Sequence, residues 1–480
     1  MKPAFFEGYI PPARIFGNLY FVGTHPASTH LIDTEDGLIL IDPGFPEALP
    51  QILDNIRAVG FDPADIRVIL LSHGHYDHAG AAKELAAQTG ASIFIGEGDL
   101  PMVTGEEDSS LAELFDVKFT QTFTPDRLLK DGDRVTLGAT DILCLSTPGH
   151  TEGTLSFFFD VTDGEHTYRA GMFGGAGTNT LTREFLLTRG LSFTPRAQFL
   201  KSIERLKKER VELFLGNHVQ NNRTEEKLAR ASHGEDNPFL APEEWNAFLE
   251  ERQQKLNQIM KLEETTVQNT IEQILKEKII MIVRGVAADQ VPPLAEAMWR
   301  GGIRLMECTY DATGKVSDEE IAAVIGTLSK QMEGRMLIGA GTVLTQKQVM
   351  LTAAAGGKFI ISPDTNPEII AATKEAGLVS IPGALTPSEA TTAHRAGADF
   401  VKLFPVSQSG PGYVKALCAP LSHLRFLAVG GVNSGNMLDY MSHGAKGVGM
   451  GLGESDKRAI SAGDFDAIEA KCREMVEKLK

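Results

Sequence analysis

The sequence has few cysteines and a deficit of positive charge. Only four of the 480 residues are cysteine, at the widely separated positions Cys144, Cys308, Cys418 and Cys472. Because no two of them form a C-x-x-C pair, we expect neither a disulfide framework nor a thiolate zinc site. Lysine and arginine number 46 against 63 aspartates and glutamates, which gives a formal net charge of −17. This balance argues against nucleic acid as the main partner, since phosphate backbones are bound by basic surfaces.

Long apolar runs are also missing. No segment approaches the roughly 18 apolar residues that a membrane-spanning helix needs. The first ten residues lack a basic region followed by an apolar core, so no signal peptide is evident. These absences predict a cytoplasmic protein without membrane association. A chain of 480 residues is too long for a single hydrophobic core, so we expect two or three domains.

The densest group of metal-binding side chains is the hexapeptide His-Gly-His-Tyr-Asp-His at residues 73–78. It follows an apolar run that predicts a buried strand, and it precedes a segment that predicts a helix. His73 and His75 are two residues apart, so an extended backbone points both rings the same way. Asp77 and His78 follow on the turn. Because neutral imidazole and carboxylate are common zinc ligands, this loop predicts a metal site.

Two further histidines stand where a predicted strand gives way to a sharp turn. His150 lies in Pro-Gly-His-Thr after one apolar strand, and His218 lies in Gly-Asn-His after another. Functional side chains gather at such strand ends, so the histidines predict one convergent cluster. Asp42, at the end of Leu-Ile-Leu-Ile, has two interpretations. In the first, its carboxylate orients a metal-bound histidine; in the second, it caps the turn that follows.

These motifs, HGHYDH, PGHT and GNH with LIDPG upstream, resemble the metallo-β-lactamase fold superfamily over residues 12–245. The resemblance implies an αββα sandwich with a dinuclear zinc site between its sheets. The implied ligands are His73, His75 and His150 for the first metal, and Asp77, His78 and His218 for the second. Asp77 also counts among the implied catalytic residues. A hydroxide between the metals would attack a carbonyl or phosphoryl centre.

One position departs from that superfamily. Many members carry a bridging aspartate in a Gly-Asp motif, whereas Met172 stands at the corresponding place here, in Ala-Gly-Met-Phe-Gly. A thioether does not bridge two zinc ions as a carboxylate does. The departure resembles the third subclass of metallo-β-lactamases, which favours hydrolysis of a lactone, amide or ester over thioester and nuclease chemistry. The alternative is a non-catalytic scaffold, or a domain of different specificity such as β-lactams or thioesters.

A helical pattern from Pro242 joins the two halves of the chain. Glu-Glu-Thr-Thr at 263–266 interrupts it and predicts a new helix capped by Thr266. We therefore expect one domain over residues 1–264 and another over residues 265–480. In the second, eight short apolar strands alternate with helices, which predicts a (β/α)8 barrel. The predicted strands are 279–285, 303–310, 337–343, 359–363, 379–384, 400–406, 425–432 and 447–453.

Two ionisable residues interrupt these apolar strands. Burial of Lys402, in Phe-Val-Lys-Leu-Phe-Pro, would lower the pKa of its amine and favour attack on a carbonyl to form a Schiff base. Strand alternation places Glu307 toward the barrel interior. The two residues form either an acid–base pair or a structural ion pair. Gly430 and Gly431 offer backbone amides for a phosphate or carboxylate.

Taken together, IVRG, ECT, GAGTV, ISPDTN, IPGALTPSE, VKLFP and VGGV resemble the 2-keto-3-deoxy-6-phosphogluconate / 4-hydroxy-2-oxoglutarate aldolase family over residues 267–470. The resemblance implies that Lys402 forms an imine with the 2-keto group and that Glu307 moves protons during C–C cleavage. No cofactor is implied for this half, and the products would be pyruvate and an aldehyde. The implied substrate-binding residues are Thr342, Arg284, Gly430 and Gly431.

Two departures leave open whether the aldolase substrate is phosphorylated. Asp311 stands where the family has an arginine for the pyruvate carboxylate, and Gly451 stands where it has a phosphate-binding serine. Arg284 is expected to replace the lost positive charge. We predict a bifunctional chain: a zinc hydrolase for a lactone or ester, fused to a class I aldolase for a 2-keto-3-deoxy (phospho)sugar acid or 4-hydroxy-2-oxoglutarate. Expected partners are these small sugar acids and further copies of the chain, with a trimer through the barrel implied by resemblance.

Overall fold

A computed structural model describes residues 9–479, and contacts divide these residues into two compact units. The first unit comprises the chain up to Thr182 together with Ser192–Gln258, and the second comprises Arg183–Leu191 and the chain from Ile259 onward. No pattern in the sequence indicates that so short a segment leaves the first unit. The predicted boundary at residue 264 stays a prediction. Within residues 9–479, no helix combines the length and the apolar content that a membrane span requires.

Two sheets form the centre of the first unit. The first sheet consists, in spatial order, of β1 (Ala13–Phe16), β2 (Leu19–Phe21), β3 (His30–Asp33), β4 (Leu38–Ile41), β5 (Ile66–Leu70), β6 (Ser92–Gly96) and β7 (Arg127–Leu129). Its first four strands pair antiparallel, and β4 to β7 pair parallel. The second sheet, with β12 and β8 at its edges, consists of β8 (Arg134–Leu137), β9 (Thr140–Ser146), β10 (Leu155–Thr162), β11 (Thr167–Met172) and β12 (Leu213–Leu215).

Helices complete the layers. The helices of the first unit are α1 (Leu49–Ala58), α2 (Tyr76–Ala79), α3 (Ala82–Thr89), α4 (Leu100–Thr104), α6 (Thr194–Leu206), α7 (Thr224–Ser232) and the start of α8 (Pro242–Glu277). The short helix α5 (Arg183–Thr188) belongs to the second unit.

Strand alternation explains the layering of the first unit. Ile39 and Ile41 of β4 join the core between the two sheets, whereas Leu40 joins the core that contains α1 and α3. Beyond the second sheet, the Trp245 ring of α8 contacts the Phe158 ring of β10, with ring centroids 5.8 Å apart. The predicted αββα sandwich is confirmed.

The helix α8 runs without a break through residues 263–266, so the predicted helix end there is wrong. The hydroxyl of Thr265 donates to the carbonyl oxygen of Lys261 at 2.9 Å, and that of Thr266 donates to Leu262 at 3.0 Å. Threonines that bond back by one turn remain inside a helix rather than capping a new one. The sequence motif was therefore compatible with both outcomes.

The second unit is built on a parallel sheet that closes on itself. Its strands are β13 (Ile279–Val283), β14 (Leu305–Thr309), β15 (Leu337–Gly341), β16 (Phe359–Ile361), β17 (Val379–Ile381), β18 (Gly383–Ala384), β19 (Val401–Leu403), β20 (Phe426–Val429) and β21 (Gly447–Gly451). The strands β17 and β18 are the two halves of one predicted strand, separated at Pro382, which has no N–H for a ladder. Pairing runs from β17 around to β18, so the predicted eight-stranded barrel is confirmed.

Helices follow the strands in turn. They are α9 (Val291–Arg300), α10 (Asp318–Gln331), α11 (Gln346–Ala354), α12 (Pro367–Glu375), α13 (Pro387–Arg395), α14 (Gly410–Cys418), α15 (Met437–Ser442), α16 (Glu454–Ser461) and α17 (Phe465–Glu477). Inside the barrel, Leu305, Phe359 and Phe400 form an apolar layer with Ile271 and Ile274 of α8. These residues close the amino-terminal end of the barrel, so substrates enter from the carboxyl ends of the strands.

Candidate functional site

The first group of predicted metal ligands meets where β5 and β9 end. His73 and His75 lie on extended backbone between β5 and α2, and His150 follows β9 on a sharp turn. Their ligand atoms all lie within 4.8 Å of one another. The turn needs Gly149, because its φ is +137° and a Cβ there would lie 2.6 Å from the backbone of Phe199. The three histidines thus lie where a single cation can contact all of them, and their assignment as metal ligands stays a prediction.

The second group adjoins the first. Ligand atoms of His73, Asp77 and His78 also lie within 4.8 Å of one another. His218, on the loop after β12, brings its Nε2 to 3.3 Å from Nε2 of His78 and to 3.5 Å from Oδ2 of Asp77. All six residues singled out in the sequence therefore converge on one site.

The chemistry of this cluster fits a bound cation. The Nε2 atom of His73 is buried and has no hydrogen-bond partner among residues 9–479. Burial, reinforced by the neighbouring histidines, holds the pKa of His73 well below its usual range. Burial also lowers the pKa values of His150 and His218 to about 4. The rings are therefore neutral at pH 7 and offer lone pairs, which is the form that binds a metal.

Asp42 lies behind this cluster and contacts one of its ligands. Its Oδ2 accepts hydrogen bonds from Nδ1 of His78 at 3.0 Å and from the Ser72 hydroxyl at 2.6 Å, while Oδ1 accepts from the Ser72 amide at 2.7 Å. A carboxylate on Nδ1 leaves Nε2 free for the metal and fixes the ring orientation. The geometry favours the first interpretation of Asp42, an orienting partner. Burial opposes protonation of His78, but Asp77 and Asp42 together raise its pKa.

A second buried carboxylate, Asp99, was not found in the sequence. Its Oδ2 accepts from the amide of Gly74 and from the Thr151 hydroxyl, each at 2.8 Å, and its Oδ1 accepts from the amide of Gly153 at 2.8 Å. It thereby fastens the loop of His73 and His75 to the loop of His150. Burial raises the pKa of Asp99 to about 6. No local signal marks this residue, because its three partners lie 25 to 54 positions away.

Met172 lies in the core rather than among the ligands. It ends β11, where it pairs with Phe157 on one side and Leu215 on the other, and its side chain is fully buried between the sheets. Nothing at this position replaces the carboxylate that many metallo-β-lactamase fold proteins carry there.

The barrel holds a second site. Lys402 of β19 and Glu307 of β14 line one small internal cavity, whose walls are otherwise apolar and include Ile282, Ile361, Ile381, Leu427 and Val429. Their exposed fractions are 7% and 2%. Glycine at position 341 gives the carboxylate its space, since a Cβ there would lie 2.4 Å from Oε1 of Glu307. The interior position that strand alternation predicted for Glu307, and the burial expected for Lys402, are thus observed.

The pKa values of Glu307 and Lys402 are shifted in the directions expected of reactive groups. Burial raises the pKa of Glu307 to about 7, although the positive charges of Lys402 and Arg284 oppose this rise. Burial likewise lowers the pKa of Lys402, against the effect of Glu307 and with the help of Arg284. The Oε2 atom of Glu307 finds no hydrogen-bond partner in the described chain, so a closed ion pair does not satisfy it. The geometry favours an acid–base pair over a structural one.

The other predicted substrate contacts lie at the carboxyl ends of the strands. Nη2 of Arg284 donates to the hydroxyl of Thr342 at 2.8 Å, which brings the ends of β13 and β15 together. Gly430 and Gly431 follow β20 with φ values of +88° and +89°. Asp311 turns to its own loop, where its carboxylate accepts from the amides of residues 313, 315 and 316 and its pKa falls to about 2.

Known proteins match each half separately. The family model for KDPG and KHG aldolases matches residues 271–471. A 2-dehydro-3-deoxy-phosphogluconate aldolase of Treponema pallidum is 32% identical over 207 residues, which are 43% of this chain and 95% of that relative. The chain belongs to this aldolase family. A probable 2-dehydro-3-deoxy-6-phosphogalactonate aldolase of Rhizobium meliloti, another member, is 35% identical over 40% of this chain and 87% of its own length.

The half that precedes the aldolase barrel matches a different group. The metallo-beta-lactamase superfamily model matches residues 22–163. The native metallo-β-lactamase FEZ-1 from Legionella gormanii is 31% identical, with a TM-score of 0.50, and the match covers 53% of this chain and 97% of that one. This member of the aldolase family therefore also carries a metallo-β-lactamase fold domain, as the two resemblances implied, and that domain contains the histidine cluster.

Proposed function

We propose that the barrel is a class I aldolase that cleaves a 2-keto-3-deoxy sugar acid to pyruvate and an aldehyde. The observation that carries this proposal is a buried lysine of lowered pKa in one cavity with a buried carboxyl group. An apolar site keeps the amine neutral, and the neutral amine is the form that attacks a carbonyl carbon. Arg284 and Thr342 would hold the substrate carboxylate at the rim.

The steps follow from these positions. The Lys402 amine attacks the C2 carbonyl and water leaves, which forms an imine. Glu307 takes the proton of the C4 hydroxyl, so that the C3–C4 bond breaks and the aldehyde departs, with the electron pair retained in an enamine. Glu307 returns the proton to C3, and water then releases pyruvate and the free amine. A carboxyl pKa near 7 suits a group that both accepts and donates.

Trapping of the imine tests this proposal. Pyruvate with borohydride should attach one pyruvate-derived group to the chain, on the peptide that contains Lys402. Replacement of Lys402 by alanine should abolish the labelling. Labelling that survives this replacement would show that another lysine forms the imine.

We infer that the first domain is a zinc hydrolase for a lactone or a related ester. Six converging ligands, one with a buried and unpartnered Nε2, support this inference. Two zinc ions would be held by His73, His75 and His150, and by Asp77, His78 and His218. When bound, zinc polarises a carbonyl and lowers the pKa of water, so that hydrolysis proceeds near neutral pH. The chain contributes the ligand geometry, through Asp42 and Asp99.

Hydrolysis assays on sugar-acid lactones test this inference. We expect turnover that is lost with a chelator and with His75→Ala. Turnover of β-lactams alone, which the likeness to FEZ-1 would favour, would contradict the lactone assignment. Absence of turnover of every lactone, ester and β-lactam by the metal-loaded chain would instead support a non-catalytic scaffold.

We also propose that the chain forms a homo-oligomer through its barrel, with a trimer as the expected state. This proposal is supported only by the likeness to the aldolase family. Light scattering on the purified full chain would test it, and a monomeric mass would contradict it.

A further inference from the structure

The last residue of β14, Thr309, lies at the aldolase site, and the proposed mechanism does not use it. Leu305 and Glu307 of the same strand lie inside the barrel, so strand alternation places Thr309 on the same inner face, one layer nearer the mouth. Thr309 is only 6% exposed, yet it lines the same cavity as Arg284. A buried threonine hydroxyl therefore lies at the entrance to the catalytic pair.

Strand pairing fixes the surroundings of this residue. Thr309 pairs with Gly341 of β15, and on the other side the register with β13 places Arg284 next to it. The carboxylate of Glu307 fills the space that the missing side chain of Gly341 leaves, because a Cβ there would lie 2.4 Å from its Oε1. Thr309 is thus level with the Glu307 carboxylate and adjacent to Arg284.

The hydrogen bond between Arg284 and Thr342 crosses the end of β14. In the sheet, β14 lies between β13 and β15. Arg284 follows β13 and Thr342 follows β15, and their Nη2 and Oγ1 atoms are 2.8 Å apart. The place proposed for the substrate carboxylate therefore lies at the end of the strand between them, where Thr309 is the last residue.

The hydroxyl of Thr309 has hydrogen-bonding capacity to spare. Its Oγ1 lies 3.4 Å from the carbonyl oxygen of Val283, which is longer than the roughly 2.5–3.0 Å of ordinary O–H···O hydrogen bonds. A carboxylate is a better acceptor than an amide carbonyl, because the bond is then charge-assisted. Rotation about the Cβ–Oγ1 bond is enough to turn the proton toward a carboxylate oxygen.

We propose that the Thr309 hydroxyl donates a hydrogen bond to the carboxylate of the 2-keto acid, as a third donor beside Arg284 and Thr342. This inference rests on the proposed aldolase function and adds a specificity-determining residue to it. The three donors come from three adjacent strands, so they fix the carboxylate and, with it, the C2 carbonyl that Lys402 attacks. The hydroxyl recognises the charged carboxylate and takes no part in proton transfer.

Labelling of the full chain with two keto compounds tests the inference. Pyruvate carries the carboxylate, whereas pyruvamide has nearly the same shape and a neutral amide. Borohydride should trap each compound as its imine with Lys402, and the concentration that gives half the maximal labelling rate is measured for both. Thr309→Val removes the hydroxyl but keeps the branched shape. This concentration should then rise roughly tenfold or more for pyruvate, and less than about threefold for pyruvamide.

Two further variants serve as controls. Thr309→Ser keeps a hydroxyl, so its preference for pyruvate should stay within about threefold of that of the unmodified chain. Thr327→Val is the matched control, because Thr327 lines the same cavity from α10 but its hydroxyl donates to the carbonyl oxygen of Ala323 at 3.0 Å. It should change neither concentration. If Thr309→Val does not fold, Thr309→Ala removes the same hydroxyl and must show the same selective loss.

Aldol cleavage supplies an independent readout. In Thr309→Val, KM for the sugar acid should rise by roughly tenfold while kcat changes little, because a contact made equally before and in the transition state affects binding alone. An equal weakening of pyruvate and pyruvamide would show that the hydroxyl is only structural, and would overturn the inference. Unchanged selectivity in Thr309→Val would overturn it as well.

The unmodified chain separates the two levels of the proposal. If pyruvate and borohydride label Lys402 but Thr309→Val keeps its selectivity, only this inference fails. If the unmodified chain is not labelled at Lys402, the proposed aldolase function fails and takes the inference with it.

Discussion

The two candidate sites both consist of buried ionisable side chains, but the surroundings of those side chains differ. The metal centre gathers polar side chains on loops after three different strands, and buried carboxylates such as Asp42 and Asp99 hold those loops by hydrogen bonds. The barrel site instead places two ionisable groups, Lys402 and Glu307, within strands whose neighbours are aliphatic. One site is rich in hydrogen bonds, and the other is nearly free of them.

Burial serves both sites, with different results. In the metal centre, burial keeps imidazoles such as His73 and His150 neutral, so that their lone pairs remain available. In the barrel, burial keeps the Lys402 amine neutral and the Glu307 carboxyl partly protonated at pH 7. The first effect favours a ligand and the second favours a nucleophile with its acid–base partner. Experiments that affect one site alone should sharpen this contrast.

The largest effect is expected at Lys402. Lys402→Ala removes the nucleophile, so aldol cleavage should fall by on the order of 10⁴-fold, while metal content and hydrolase activity stay unchanged. Steady-state cleavage assays and metal analysis on the same preparation would measure both. Lys415→Ala, which removes an exposed lysine on α14, is the matched control and should leave cleavage intact. A fall in hydrolase activity with Lys402→Ala would contradict independent sites.

Glu307→Gln should have the next largest effect, a loss of roughly 10²- to 10³-fold in cleavage, because a positioned acid–base group is removed. It should also change the pH dependence of pyruvate labelling. Labelling needs the neutral amine, so its rate rises with pH through the pKa of Lys402. The Glu307 charge raises that pKa. Its removal should therefore move the midpoint of labelling to lower pH.

The pH shift and the loss of cleavage must be compared. A structural ion pair would shift the midpoint in the same direction, but cleavage would recover at a pH where the amine is neutral, whereas loss of an acid–base group lowers cleavage at every pH. A shift to higher pH would mean that Glu307 does not stabilise the ammonium form, and the acid–base pair would have to be abandoned.

In the metal centre, Asp42→Asn should weaken binding at the His78 side by roughly 10- to 100-fold, as expected when an orienting carboxylate is lost. Asparagine tolerates the positive φ of +53° at this position, so the fold should persist. Competition with a chromophoric chelator would measure the affinity. Asp54→Asn, on the exposed surface of α1, is the control. Unchanged affinity in Asp42→Asn would show that the hydrogen bond to His78 is dispensable.

The smallest effect is expected at the barrel rim. Arg284→Lys keeps the charge but loses the fork that reaches the Thr342 hydroxyl, so KM for the sugar acid should rise by roughly threefold to tenfold. The rate constant kcat should change little, because this contact holds the carboxylate and not the reacting atoms. A fall in kcat with unchanged KM would place Arg284 in the chemistry instead.

The predicted metal ligands could be found from the sequence more completely than the residues that hold them in place. Four ligands lie within six residues and two more follow recognisable turns, so the spacing alone pointed to His73, His75 and their partners. Asp99 escaped notice because its contacts are long-range, and a lone aspartate before Leu-Pro has no local signature. The two meanings of Asp42 were separable only once its distance to His78 was known.

The barrel site was predictable for a different reason. An ionisable residue is unusual inside an apolar strand, and this pattern identified Lys402 and Glu307. The continuous helix α8 was missed because Thr265 and Thr266 can either cap a helix or bond back within one. The break at Pro382 between β17 and β18 was likewise not predicted, since the predicted strand spans both.

The central claim is that one chain holds a metal-dependent site and a metal-independent one. The most direct test is to strip metal from the full chain with a chelator and assay lactone hydrolysis and aldol cleavage on the same sample. The account predicts two metal ions per chain before stripping, loss of hydrolysis afterwards with recovery on added zinc, and unchanged cleavage throughout. Loss of cleavage together with hydrolysis, or survival of hydrolysis without metal, would contradict it.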